Sequence, residues 1–286
     1  MSSMPMTAAP LPAAPSAPGP IERLRWQLSD SLAFAGRNLA HVRQIPEKLI
    51  DVTLQPLMFV LLFAYVFGGV IHIPGGSYHA YLIGGILVQT LAFGMMGPAT
   101  SIASDLNEGI VDRFRSLPAS RSAYLIGHLM AELGAATLGL AVLTVSGLIV
   151  GWRIESSPAD ALAGFALLLL IAATMLSLGT LLGLCVRSVD AVQGVVFLVV
   201  FPLTFIAITF VPLGGLSGGL GTFAAYNPVS AFAAGVRTLF GNPTALPPDA
   251  QWPLQHPVLS SVLWCVVLLA ITIPLLVARF RARTAG

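Results

Sequence analysis

Charge is what this sequence has least of. Of its 286 residues only 9% are charged, against about 25% in a soluble domain. Lysine occurs once, at Lys48. A phosphate-binding loop of the G-x-x-x-x-G-K-[ST] form needs a lysine directly after its last glycine, and this chain has none. It therefore does not bind and hydrolyse nucleotide in that manner by itself. The two cysteines, Cys185 and Cys265, are too few for a disulfide framework, and both fall at or inside apolar runs as small packed hydrophobes. H-E-x-x-H and G-x-S-x-G are missing, and so is any Cys/His cluster at metal-ligand spacing. The five histidines are scattered; His72 and His79 share one loop without a carboxylate or cysteine beside them. No metal site is expected, and no nucleic-acid partner.

What is present is apolar. Hydrophobic residues make up 56% of the chain, and the mean hydropathy is +0.86. The expected class is an all-α integral membrane protein. Six segments, about 51–71, 80–103, 122–150, 161–184, 192–212 and 257–279, approach or exceed the ~20 apolar residues that cross a ~30 Å hydrocarbon core. Pro56, Pro202 and Pro274 fall inside three of them, so kinks are expected there. The Pro/Ala-rich stretch 1–20 lacks the basic residues and apolar run of a signal peptide and is expected to be a disordered tail.

Between that tail and the first span, Ile21, Leu24, Leu28, Leu32, Ala35, Leu39 and Val42 form a stripe at helical spacing. Arg23, Arg25, Arg37, Arg43 and Lys48 surround it. This is the pattern of an interfacial helix on anionic lipid, within region 21–48; the alternative is a soluble helix packed on a partner. A second polar interruption, Asp105 to Pro118, carries Glu108, Asp112, Arg113 and Arg115. Leu106, Ile110, Phe114 and Leu117 recur there on one helical face, so it reads as a short amphipathic helix or as a solvated connector.

Arginine and lysine set orientation. They cluster in the N-terminal region, in the loop after the second span, at Arg187 and at Arg279, Arg281 and Arg283. Only Arg153 and Arg237 fall on the opposite side. Both termini and the Asp105–Pro118 stretch are therefore expected in the cytoplasm of a multi-pass cell-membrane protein. On the other side, Asn227-Pro228 signals a helix start and Gly241 a stop, enclosing a helix too short to span. It is either re-entrant or an exposed extracytoplasmic helix.

Within the spans, Glu132 is the one acid well inside an apolar run, and His128 lies four residues earlier on the same face. The pair is a polar spot on a transport route, a proton-sensitive latch, or a structural pair near the cytoplasmic interface. Gln55, Gln89, Thr204 and Thr209 line a route or bond between helices. Phe93, Met95 and Met96 suit either a permissive apolar pocket or ordinary packing.

The run GIVDRFRSLPASRSAYLIG, Gly109 to Gly127, resembles the segment between the second and third spans of ABC-2 type export permeases, notably the daunorubicin/doxorubicin-resistance branch. Val211-Pro212, then Phe223 to Val229, then Arg237 before Leu239, are similar in kind. The order of parts agrees over roughly 21–283, whereas the Gly-rich 214–219 departs from the family pattern. The resemblance implies a six-helix transmembrane domain over 21–286 that forms a dimer with a second permease copy and binds a separate ATPase. Glu108, Gly109, Asp112, Arg113, Phe114 and Arg115 match the family's coupling helix, and the helix around Leu24, Arg25, Leu28 and Leu32 matches its interfacial helix. ATP and Mg would belong to the partner; this chain would hold no cofactor and be no enzyme. The implied cargo is a hydrophobic or amphipathic drug or lipid. Alternatives are a lipid-linked saccharide, a non-transporting scaffold for an ATPase, or a membrane enzyme resting on His128 and Glu132 alone.

Overall fold

The computed structural model describes residues 73–108, 121–186, 188–216 and 218–283, with scattered residues between 58 and 71. Among the described residues every regular element is helical. The helices are α1 (Tyr78–Gly94), α2 (Met96–Asn107), α3 (Arg121–Ile149), α4 (Pro158–Cys185), α5 (Val189–Phe205), α6 (Gly219–Tyr226), α7 (Pro228–Leu239), α8 (Trp252–Gln255) and α9 (Pro257–Arg283). The interfacial helix expected over 21–48 and most of the first expected span lie outside the described residues.

The starts follow from local chemistry. Ser77, Ser157, Ser188 and Asn227 sit in extended conformation before α1, α4, α5 and α7, and each side-chain oxygen accepts a backbone N–H of the first turn. Pro158 and Pro228 occupy the first helical position, where the missing N–H costs nothing. Beyond α3, Gly151 turns the chain at φ +102, a left-handed conformation suited to glycine.

Four helical stretches are long and apolar enough to cross a bilayer: α1 with α2 (78–107), most of α3 (124–149), α4 and α9. The first of these is interrupted only at Met95, whose backbone stays in the right-handed helical region. α4 is the hub; it packs against α1, α2, α3, α5, α7 and α9. Its contact with α2 is unusually close. A Cβ on Gly179 would lie 2.1 Å from the Met95 carbonyl oxygen, and one on Gly183 2.3 Å from that of Ala99. Small residues four apart let two backbones approach to this distance, which is how helices gain contact in lipid.

Two segments differ from the sequence expectation. The fifth span, expected over 192–212, is helical only to Phe205, and residues 206–210 are turns. Seventeen residues rise about 25 Å, short of the ~30 Å core. Asp105 does not start a helix. It lies in the last turn of α2, which runs on to Asn107 with Glu108 as its C-cap.

Candidate functional site

The shortened end of α5 organises the first polar site. Ending a helix inside a membrane protein strands carbonyls that water cannot satisfy. Backbone and side chains share the task here: the Ile206 N–H donates to the Pro202 carbonyl at 2.9 Å, and side chains meet several of the others. Asn227 Nδ2 donates to the Leu203 carbonyl at 2.7 Å, and the Thr209 hydroxyl donates to that of Thr204. Tyr81 Oη donates to Ile208 at 2.7 Å and Tyr78 Oη to Phe210 at 3.2 Å. In return the Ile208 N–H donates to Ser230 Oγ at 3.1 Å.

Arg237, on α7, closes this knot and is fully buried. Its Nε donates to the Tyr81 carbonyl, Nη1 to Ile208 and Nη2 to Thr209, each at 2.8 Å. The guanidinium carbon stands 3.5 Å from the centroid of the Tyr81 ring, a cation–π stack. No carboxylate is among these partners. The charge is compensated by carbonyl dipoles just past the C-terminal end of α5, where partial negative charge gathers, and by the ring face. Burial pulls the Arg237 pKa below its ordinary value, and Tyr81 and Tyr78 oppose that shift; a guanidinium nevertheless stays protonated in proteins. Glycine makes room: a Cβ on Gly85 would lie 2.0 Å from the Thr209 carbonyl oxygen, and one on Gly84 2.7 Å from Arg237 Cγ.

α7 is held at both ends. Asn227 accepts from Val229 N–H at 2.9 Å while its amide serves α5, so one side chain caps two helices. Past the other end, Asn242 Oδ1 accepts from Trp152 Nε1 at 2.7 Å and its Nδ2 donates to the Arg153 carbonyl at 3.0 Å. Along its length Ser261 Oγ, on α9, donates to the Ala231 carbonyl at 2.8 Å. α7 thus bolts the α1, α5 and α9 ends together.

A second polar site joins α2, α3 and α9. Tyr124 donates to the Asp105 carboxylate, and its ring stacks on Phe280 at 5.7 Å and on His128 at 6.2 Å. His128 is buried; its ring meets the Pro98 carbonyl, and Nε2 has no partner among the described residues. Glu132 Oε2 lies 3.2 Å from where a Cβ of Gly97 would sit, at the start of α2, where helix N-terminal dipoles favour a carboxylate.

A third feature is apolar. Phe197, Phe201 and Phe205 repeat every four residues along α5 and are 51%, 40% and 36% exposed. Their rings succeed one another at 5.1 and 4.2 Å. Phe93 extends the row at 6.3 Å from Phe197, and Phe210 and Phe63 extend it the other way at 5.3 and 4.1 Å. Six rings make a continuous ladder from the α1 end to the broken end of α5.

Of the residues singled out in the sequence, Asn227, Pro228 and Arg237 come together in the first site, and His128 and Glu132 both face the first turn of α2. Glu108 is described, with Ser104 Oγ donating to its carboxylate at 2.9 Å. Gly109, Asp112, Arg113, Phe114 and Arg115 lie outside the described residues, as do Leu24, Arg25, Leu28 and Leu32. Sequence reasoning missed Tyr78, Tyr81, Gly84 and Gly85, the Phe ladder and the Gly179–Gly183 contact. The available signals were two tyrosines three apart at a span start, a Phe every fourth residue, and glycines four apart.

The helices and buried polar knots define a multi-pass membrane protein whose spans are tied by side chains rather than loops. The family model for the ABC-2 type transporter matches residues 32–240. The chain belongs to that family and is accordingly a membrane subunit of a transporter, not itself an enzyme. It is 28% identical over 212 residues to the daunorubicin resistance ABC transporter permease protein DrrB1 of Streptomyces coeruleorubidus, covering 74% of this chain and 75% of that one. It is 25% identical over 195 residues to the doxorubicin resistance permease DrrB of Mycobacterium tuberculosis, covering 68% and 67%. The probable doxorubicin resistance permease DrrC of the same species is 22% identical over 276 residues, covering 93% of this chain and 94% of the relative.

Proposed function

We propose that this chain is the permease of an ATP-driven exporter that moves a hydrophobic or amphipathic drug or lipid out of the cytoplasm or inner leaflet. The observation that carries the cargo class is the exposed row of Phe197, Phe201 and Phe205, continued by Phe93. Offset ring faces at 4–6 Å favour flat apolar solutes and ask little of their hydrogen bonding. Relatives named for daunorubicin and doxorubicin resistance support the same class. The alternatives, export of a lipid-linked saccharide or a scaffold without transport, draw no comparable support from the ladder.

ATP and Mg then belong to a separate ATPase subunit, a reading in keeping with a chain that carries no P-loop. That subunit docks on the cytoplasmic side through the amphipathic stretch with Glu108, Gly109, Asp112, Arg113, Phe114 and Arg115. A second permease copy completes the route, both termini are cytoplasmic, and the helix around Leu24, Arg25, Leu28 and Leu32 rides the inner leaflet. Asp105 and Tyr124 flank the docking stretch, and their bond carries its displacement into α2, α3 and, through Phe280, α9. ATP binding biases the permease only by favouring one state of this assembly over the other.

Charge reversal at Arg113 and Arg115 tests the reading. In vesicles containing both subunits it should abolish most substrate-stimulated ATPase while leaving membrane insertion intact. Unchanged stimulation would sink the docking assignment; no transport by the unmodified complex would favour the scaffold.

A further inference from the structure

We propose that α6 is an interfacial helix whose Leu220–Phe223–Tyr226 edge, together with Trp252 of α8, beds into the boundary between headgroups and acyl chains. The helix is amphipathic in reverse. Its face toward the protein is Ala224 and Ala225, packed with Ala234, Ala250 and Leu254. Its face away from the protein carries Leu220, Phe223 and Tyr226, which are 51%, 50% and 56% exposed. A helix immersed in water hides its large apolar residues and shows its small ones; this one does the opposite, as lipid-facing helices do.

Charge and position point to the same occupant. The sequence has no charged residue between Asp190 and Arg237, so α6 offers a protein partner no ionic register and water no charged rim. α6 packs against α8, and α8 leads at once into α9, a helix long enough to span. Trp252 is thus fixed five residues before the span begins, half exposed, with its ring 5.5 Å from that of His256. Trp and Tyr settle at this level of a bilayer because an apolar ring and a polar N–H or O–H are satisfied at once. Leu220 and Phe223 then reach the acyl chains beside them. Lipid contact follows from these residues; the leaflet follows from the sidedness proposed above, and on that reading it is the outer one.

Site-directed spin labelling tests both parts separately. In a background of Cys185→Ser and Cys265→Ala that still binds the ATPase, cysteines are placed singly at Leu220, Phe223, Tyr226 and exposed Asp249. In anionic phospholipid vesicles, labels at the three α6 positions should collide several-fold more with oxygen, relative to an aqueous nickel chelate, than the label at Asp249. Labels at all three that read as aqueous overturn the proposal. So does strong spin–spin coupling between copies, which would make the face a contact with a second copy. An impermeant maleimide added to whole cells should label Asp249→Cys. Failure of that labelling alone, with the lipid readings intact, reverses the leaflet and refutes the proposed sidedness instead.

Discussion

Arg237 is the residue whose removal should say most about how this permease holds its shape. It makes three charge-assisted bonds to backbone carbonyls and stacks on Tyr81. Its partners do not depend on it equally. The Ile208 carbonyl also receives Tyr81 Oη, whereas among the described residues Nη2 is the one partner of the Thr209 carbonyl oxygen. Arg237→Met keeps most of the stem and leaves that carbonyl unmet, a cost of about 1–3 kcal/mol for an unsatisfied buried group. Relief of the buried charge offsets part of it. Arg237→Ala adds the loss of a stem packed against Gly84, roughly 0.8 kcal/mol per methylene. Two to three methylenes place the alanine variant about 2 kcal/mol below the methionine one, and so at least about 2 kcal/mol below the native protein. For a domain of this size that is a loss of at least roughly 4–8 °C in midpoint. Arg237→Lys keeps the charge but not the planar fork and should fall between the two. The assay is thermal unfolding in one detergent, followed by hydrogen exchange of the 206–210 amides, where the alanine variant should lose protection first. An alanine midpoint within about 2 °C of the native one, or exchange unchanged at 206–210, would refute the view that Arg237 pins the end of α5.

Two further outcomes follow from packing. Gly179→Ala and Gly183→Ala drive a methyl into backbone carbonyls that cannot swing aside, so each should lower stability by about 1–3 kcal/mol or more. Gly194→Ala, with open space around it, should be neutral or stabilising by up to about 1 kcal/mol, and equal midpoints for all three would overturn the close-contact account. Phe201→Ala removes the middle rung of the ladder from a part-exposed position; it should raise the half-saturating concentration of an aromatic substrate while basal ATPase of the complex holds, and an unchanged value would detach the ladder from cargo binding.

Local composition was enough for the membrane class and for the start of the short helix at Asn227-Pro228, a cap that needs only its immediate neighbours. Ser157-Pro158 is a signal of the same kind that the expected start at 161 did not use. A short apolar helix closed by Gly241, at φ +70, is legible for the same reason. The end of α5 was not. Val195 to Val211 is apolar almost throughout, and hydropathy reads it as one span. Pro202 offers a kink, but a proline inside a helix does not by itself say where the helix ends.

The stop at Phe205 depends on groups far away in sequence: Asn227, Ser230 and Arg237 on α7, Tyr78 and Tyr81 on α1. Any one alone reads as an ordinary polar residue near a span end. In sequence, Arg237 was one of two outer-side arginines, and the counting rule used it only to orient the chain. Its chemistry is decided by packing, because carbonyls freed at one helix end must find donors where water is absent, and only the assembled bundle brings those donors within reach. The sequence by itself determined that this is a helical membrane protein of a recognisable permease pattern. The tertiary structure alone decided which helix breaks, what satisfies the break, and which apolar faces are left outward.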